Sequence, residues 1–451
     1  MKRSLWLRRM AAVTALALAA AACGNGESTD EPEPDPTEEP APDETEEPDE
    51  TDETEEPDET DDPVAIDRPG RDDVLDFGYI LPESGPLAFL GAPQIEGVRM
   101  AIEDINAAGG VNGNDVTLET GDEAGDAAQA QEAAARLING GVDAIIGAAA
   151  SGMSQEFIQL TFDNEIVQCS ASNTSPAFTD QANNGYYFRT VPPDEAVAPI
   201  IADTVVGDGA SNIAIVARAD DYGVALADLV ADGVDGLGAT VSDNIQYDPN
   251  TSDFSAEVST LTGSNPDAIV IVGFGEAATL IRQLLEAGIP GDSIYGGDGL
   301  FGPTLSADVN PDDEGFLSGM KVIGAAGGAD FNERLNERLP ADEQGNLIYG
   351  GQAYDCVITI ALAAIAADST DPAVFNAEIE NVTKDGTECT TFEECKGLLE
   401  AGEDIDYNGA SGPIALSHPD PTFGRYAVGQ FQEDGSLEIV GDQDVDLSDV
   451  G

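Results

Sequence analysis

The sequence predicts an α/β protein of two similar Rossmann-like lobes, each a parallel sheet covered by helices. Three observations carry that reading. Short apolar, β-branched runs recur along the chain, stretches of helical length and pattern lie between them, and one strand pattern returns in the second half. Strand–helix alternation of this kind implies parallel strands covered on both faces.

The strand runs fall at 74–81, 116–119, 144–147, 166–171, 213–217, 268–273, 293–295 and 321–324. The first helical pattern, 93–108, puts Ile95, Val98, Ile102 and Ile105 on one face and stops at Gly109-Gly110, a good C-terminal signal. The second, 127–138, is alanine-rich and also ends at a glycine pair. Further helices fit 155–164, 195–206, 224–232, 254–261, 276–287 and 353–367. The internal echo is Gly-Val-Asp-Ala-Ile-Ile-Gly at 141–147 against Asn-Pro-Asp-Ala-Ile-Val-Ile-Val-Gly at 265–273. Open α/β sheets bind ligands outside the carboxyl ends of their strands. Two facing sheets therefore put both crevices on one ligand.

Composition removes several classes of function. The 451 residues include 88 Asp and Glu, 17 Lys and Arg and one histidine, for a formal charge of −71. Such a chain repels phosphate at long range, so binding nucleic acid through a basic face is excluded. His418 alone cannot supply a His-based triad or a multi-histidine metal site. The five cysteines include no CxxC pair, so no zinc framework of the usual spacing is present.

Residues 1–22 read as a signal peptide: Lys2, Arg3, Arg8 and Arg9 precede an apolar run at 10–22. That run falls short of the ~20 residues a membrane-spanning helix needs. Ala20-Ala21-Ala22-Cys23-Gly24 resembles a bacterial lipobox, which makes Cys23 the lipidated first residue of the mature chain. Residues 23–63 form an acidic tether. From Glu27 to Asp62 there are 21 acidic residues, no basic ones, and a repeated Glu-Glu-Pro-Asp-Glu-Thr. Such a segment cannot bury enough apolar surface to offset its chain entropy and is expected to stay disordered. At ~3.1 Å per residue it reaches on the order of 100 Å. The rest of the chain still carries 67 acidic residues against 13 basic ones, an excess that points to a high-salt exterior where screening relieves self-repulsion.

The globular part resembles the Leu/Ile/Val-binding substrate receptors of ABC importers, which have the type I periplasmic-binding-protein fold. The matching stretches occur in the family's order. They are Ser-Gly-Pro-Leu-Ala (84–88), Ala-Ile-Glu-Asp-Ile-Asn-Ala-Ala-Gly-Gly-Val-Asn-Gly (101–113), Val-Asp-Ala-Ile-Ile-Gly (142–147), Asn-Thr-Ser-Pro-Ala-Phe-Thr-Asp (173–180), Phe-Arg-Thr-Val-Pro-Pro-Asp (188–194), Asp-Asp-Tyr-Gly (220–223), Gly-Gly-Asp-Gly (296–299) and Ala-Tyr-Asp (353–355). The resemblance implies three hinge crossovers, near 190–193, 322–325 and 411–414. The first lobe would then hold 64–190 and 325–411, and the second 191–324 and 412–451. It also implies a small-molecule ligand, an amino acid, with permease and ATPase partners encoded elsewhere, no cofactor and no catalytic residues. Contact with the membrane is expected through the lipid anchor alone.

A zwitterionic ligand needs donors for its carboxylate, an acid for its ammonium and a wall for its side chain. Ser151 follows the strand at 144–147 and opens a helix, where free N–H groups favour an anion. By resemblance, Ser172 and Thr174, after the strand at 166–171, contact the ligand's carboxylate and ammonium, and Tyr222 covers the ligand from the second lobe. The resemblance also makes Asp298, flanked by glycines, the ammonium partner. Phe89 and Leu90 are expected as an apolar wall, and Phe274 falls in a loop that carries aromatics in the family. The resemblance thus implies a branched-chain or similar aliphatic amino acid as ligand, but the family's leucine receptor has Glu where Asp298 stands, and the alternative is a same-fold sensor or receptor for urea, short amides or another small solute.

Other signals are set aside. Residues 297–302 satisfy GxGxxG, but Pro303 follows at once and Asp298 would face a pyrophosphate. Asp442, Asp444 and Asp446 alternate without the glycine and terminal Glu of a calcium loop. Arg189 is either a hinge cap or a structural residue. Cys389 and Cys395 are spaced for a short-loop disulfide in an exported chain. Cys169 and Cys356 either pair, if strand end and helix meet, or stay as buried thiols.

Overall fold

The computed structural model describes residues 72–179, 181, 185–341 and 343–448. The expected signal peptide, Cys23 and the tether lie outside the described residues. Among those described, no helix is long and apolar enough to cross a membrane.

The first sheet has five parallel strands: β1 (Asp76–Leu81), β2 (Thr117–Asp122), β3 (Ala144–Gly147), β4 (Val167–Ser170) and β5 (Tyr187–Arg189). Their spatial order is β2-β1-β3-β4-β5. Helices α1 (Ala88–Ala107), α2 (Ala127–Gly140), α3 (Ser151–Gln155) and α4 (Ile158–Asp163) connect them. β3 reads Ala-Ile-Ile-Gly and is buried throughout, because it has a strand on each side and helices on both faces. The single helix expected at 155–164 is two short ones, broken at Glu156 and Phe157.

The second lobe begins with α5 (Asp194–Gly207), β6 (Asn212–Arg218), α6 (Asp221–Gly236), β7 (Thr240–Tyr247), α7 (Ser255–Gly263), β8 (Ala268–Val272), α8 (Ala277–Glu286), β9 (Ile294–Gly296), α9 (Leu305–Val309) and β10 (Lys321–Ala325). The chain then builds α10 (Ala329–Arg338), α11 (Gly350–Ala366), α12 (Pro372–Phe375), β11 (Thr387–Cys389), α13 (Phe392–Glu400), β12 (Ile405–Gly409) and β13 (Gly412–Pro413), with α10 and α11 against α1. Two short strands follow, β14 (Leu416–Ser417) and β15 (Asp420–Pro421), then β16 (Phe423–Phe431) and β17 (Leu437–Asp446).

The second sheet runs β17-β16-β10-β9-β8-β6-β7. It is parallel from β10 to β7, but β16 and β17 join antiparallel, with Ile323 opposite Val428 and Tyr426 opposite Gln443. The parallel core is as expected, and the antiparallel pair extends it at one edge. The sequence reading found no strand at β7, β16 or β17, because polar residues interrupt each of them and leave no apolar run.

The main chain passes between the sheets three times, after Arg189, after Ala325 and after Pro421. Residues 414–421, which the sequence reading gave to the second lobe, remain bonded to the first. Pro419 O accepts from Arg189 N at 3.0 Å, and Asp420 accepts from Arg189 Nε at 2.6 Å and Thr179 Oγ1 at 2.8 Å.

Two of the passages and the approach to the third are fastened to the first two turns of α11. At the first, Thr190 Oγ1 donates to Gln352 O at 2.8 Å. At the second, Gln352 Nε2 donates to Ala326 O at 3.4 Å. Approaching the third, Ala410 N, Ser411 N and Ser411 Oγ donate to the Asp355 carboxylate at 2.7, 2.8 and 2.5 Å. Ala410 O accepts from Gly328 N at 2.8 Å, which ties the second passage to the approach of the third. Glycine lets α11 lie this close to α1: a Cβ on Gly97 would stand 2.2 Å from Gly350 O.

A disulfide joins Cys169 at the end of β4 to Cys356 in α11, with Cα atoms 5.8 Å apart. A second joins Cys389 to Cys395, with Cα atoms 5.4 Å apart. The first bridge spans 187 positions, so it restricts the unfolded chain over a long loop. Replacing Cys169 and Cys356 together by alanine is expected to lower unfolding stability by about 2–4 kcal/mol. Denaturant titration in high salt measures it, and an unchanged midpoint would deny the bridge that role.

Candidate ligand-binding cleft

The carboxyl ends of both sheets deliver loops to the junction of the lobes, and Asp298 lies where they meet. It follows β9 on a tight turn and is only 5% exposed. Tyr222, the second residue of α6, donates its hydroxyl to Asp298 Oδ1 at 2.5 Å. Tyr349, immediately before α11, donates to Asp298 Oδ2 from the other lobe. Its backbone is left-handed, φ 62°, which is uncommon for a non-glycine residue. Burial raises the Asp298 pKa, and the two tyrosine hydroxyls partly offset it. Both tyrosines hold their protons well beyond the usual range, first through burial and then through the Asp298 charge.

A second acid shares this space. Asp194, the first residue of α5, is fully buried, and neither carboxyl oxygen has a hydrogen bond of normal geometry. Its pKa is pushed well above the ordinary value by burial and then by Asp298. The Thr174 hydroxyl partly offsets this, but it too lacks a hydrogen bond of normal geometry, as does the buried hydroxyl of Tyr426 on β16. The charges of Asp194 and Asp298 both reach Tyr426. Two arginines border the cleft, and both are committed. Arg189 is fully buried and donates to Asn173 O at 2.8 Å, Ser175 O at 2.9 Å and Asp420 at 2.6 Å, which fixes the loop carrying Thr174. Arg218 pairs with Asp220 at 2.5 Å and Glu276 at 2.8 Å.

The other expected residues fall at several depths. Ser151 is buried at the start of α3, and its Oγ accepts from Ser175 N at 3.4 Å. The Ser172 hydroxyl lies within hydrogen-bond distance of Ala149 O (3.0 Å) and Gln94 Oε1 (3.2 Å). Leu90 packs into the core of the first lobe. Phe89 lies against Gly302 of the second lobe, where an added Cβ would meet its ring at 2.9 Å. Gly275 N donates to Pro86 O at 3.3 Å, so the lobes touch through backbone there. Phe274 stacks on Tyr222 with centroids 5.2 Å apart. At the mouth, a hollow of about 440 Å³ is lined by Ser175 and Ala177 from one lobe and Asp220, Asp221 and Val224 from the other.

Sequence reasoning passed over Asp194, Tyr349, Tyr426 and Glu123. Asp194 ends the matched stretch 188–194 and was open to notice. Tyr426 lies on the unread strand β16, and Tyr349 precedes the Ala-Tyr-Asp motif without belonging to it. Glu123, just beyond β2, is fully buried and accepts from Ala149 N at 3.1 Å and Ala150 N at 3.4 Å. It thus occupies the two backbone donors that immediately precede the helix opening at Ser151.

Two α/β lobes meet here on acids and tyrosines contributed from both sides, an arrangement suited to enclosing a small solute. The chain belongs to the periplasmic binding protein family, whose profile matches residues 75–420. It is 29% identical over 231 residues to the Leu/Ile/Val-binding protein homolog 3 of Brucella melitensis, covering 50% of this chain and 61% of that one. It is 26% identical over 373 residues to a chemotactic signal transduction system substrate-binding protein of Halobacterium salinarum, covering 79% and 87%. Its fold resembles that of the branched-chain amino acid transporter substrate-binding protein of Streptococcus pneumoniae, solved with isoleucine. The TM-score is 0.67 at 20% identity, over 83% of this chain and 99% of that one.

Burial raises the carboxyl pKa of Glu123 to about 8 and of Asp355 to about 6. Each holds its proton more tightly folded than unfolded. Their stabilising contribution is therefore full below the ordinary carboxylate range and is lost as pH rises through those values. Stability at fixed high salt is expected to fall between pH 5 and 8.5. Glu123→Gln, which keeps an acceptor for Ala149 N and Ala150 N, is expected to recover on the order of 2–4 kcal/mol at pH 8.5 and little at pH 5. Equal effects of the variant at both pH values would contradict this assignment.

Proposed function

We propose that the protein is the extracytoplasmic solute receptor of an ABC importer, taking a branched-chain or similar aliphatic amino acid between its lobes. The observation that carries this reading is Asp298, a carboxylate buried where the lobes meet and bonded to a tyrosine from each. An ammonium entering such a cleft meets Asp298, with Asp194 nearby. The ligand carboxylate is assigned to Ser151 and Thr174, with Ser172 beside them, because Arg189 and Arg218 are already paired. Tyr222 covers the ligand from the second lobe and Phe89 borders it from the first. Leu90 and Phe274 act from behind that surface. Ligand contacts from both lobes favour the closed state, which would dock on permease and ATPase partners. The role is that of a receptor, without catalysis.

The same reading makes the chain exported and lipid-anchored at Cys23 on the outer face of the cytoplasmic membrane, with residues 23–63 as its tether. A second reading, reception for chemotaxis, is favoured by the Halobacterium relative, whose matched part is 87% of its length. Copurification with a permease, against copurification with a signal transducer, separates the two.

Calorimetry with L-leucine, L-isoleucine and L-valine tests the cleft. Asp298→Asn keeps the shape but removes the charge, and is expected to weaken binding by ~2–5 kcal/mol, roughly 30- to 3,000-fold. Binding within about threefold of wild type would remove Asp298 as the ammonium partner and favour a neutral ligand such as urea or a short amide.

Adaptation to salt belongs to the same proposal. The excess of acid over base outside the tether and signal segment makes screening stabilising. The melting temperature is expected to rise from dilute buffer to molar KCl, and a flat response would remove the halophilic reading.

A further inference from the structure

Phe274 and Arg218 behave as a support for Tyr222 and not as a wall for the ligand. The Arg218 guanidinium carbon lies 3.7 Å from the centroid of the Phe274 ring. Phe274 in turn stacks on Tyr222 at 5.2 Å with 15° between the planes. Phe274 therefore contacts both the cation and Tyr222, and it is only 6% exposed. Its edge meets Gly299, where an added Cβ would stand 2.6 Å away. A ring buried to this extent offers little surface to a ligand side chain.

The arginine is itself held on two sides. Asp220 takes Arg218 Nε through one oxygen and caps α6 through the other, accepting from Gly223 N at 2.9 Å, one residue beyond Tyr222. Glu276 Oε1 accepts from Arg218 Nη1 at 2.8 Å, Tyr247 Oη at 2.9 Å and Phe274 N at 3.3 Å. Every group that fixes the arginine also fixes the helix or loop that presents an aromatic ring. Cation–π contact with a buried ring adds to this, because neither partner is fully hydrated.

We propose that Arg218 is a positioning residue for ligand retention: acting through Phe274, it holds Tyr222 over the cleft and so sets affinity without setting selectivity. The inference rests on the reading of the cleft as an amino-acid site covered by Tyr222. A wall residue would change the ranking of ligands of different side-chain size. A support changes the affinity for all of them together.

The test is a double-mutant cycle measured by calorimetry with L-leucine, L-isoleucine and L-valine. Arg218→Met keeps the aliphatic stem and removes the guanidinium. It is expected to weaken binding of all three about tenfold, with their ratios kept within about twofold. Arg218→Lys, which keeps the charge but not the planar stack, is expected to fall between Met and wild type. In a Tyr222→Ala background, Arg218→Met is expected to add nearly nothing, whereas a general structural defect would weaken binding there as well. Thermal melts of every variant report folding. An Arg218→Met protein that binds within about twofold of wild type, an altered ligand ranking, or an undiminished loss in the Tyr222→Ala background overturns the support. A wild type that binds none of the three ligands, or a Tyr222→Ala variant that binds as wild type, overturns the cleft reading and this inference with it.

Discussion

The first two turns of α11 form the constraint on which the arrangement of the lobes depends. Tyr349, Gln352 and Asp355 are three residues apart, so they share one side of the chain as it enters the helix. Tyr349 bonds the acid at the centre of the cleft, Gln352 bonds two passages between the lobes, and Asp355 bonds the approach to the third. Cys356, one residue on, links the same turn to β4, whose end leads into the Ser172–Thr174 loop. One helix thus touches the site, two passages and the approach to the third. The packing between the lobes and the geometry at Asp298 are therefore tied to the same helix.

Electrostatics decides what the cleft can hold. Glu123, Asp194 and Asp298 are all buried, and burial opposes the charge of each. The chain has few basic residues to set against them, and the two arginines at the cleft are paired to carboxylates. Glu123 is satisfied by backbone donors, Asp298 by tyrosine hydroxyls, and Asp194 is left with the least. A ligand that brings positive charge to Asp194 and Asp298 relieves an unfavourable burial, which favours closure around it. A purely anionic ligand would add to the repulsion.

Much of this was legible in the chain itself. The central strands β3 and β8 were readable because burial on both faces demands continuous apolar residues. Helix α1 showed its period and its glycine stop. The stretches carrying Tyr222 and Asp298 lie at strand-to-helix loops, where the family resemblance is local and strong. The edge strands β7 and β17 were not readable, since a strand open to solvent needs no apolar run. Nor was the persistence of residues 414–421 on the first lobe, which depends on Arg189 reaching Asp420 across 231 positions.

The sequence by itself determined the fold class, the export and tether expectations, the acidic character and the loops from which a site would be built. These follow from composition and from periodicities within short windows. Only the tertiary structure decided which buried acids feel each other's charge, that Glu123 bonds Ala149 N and Ala150 N, that Cys169 meets Cys356, and that Phe274 contacts both Arg218 and Tyr222. Each of those facts joins residues distant in the chain or sets the orientation of a side chain. Packing and burial fix both, and a local pattern carries no record of either.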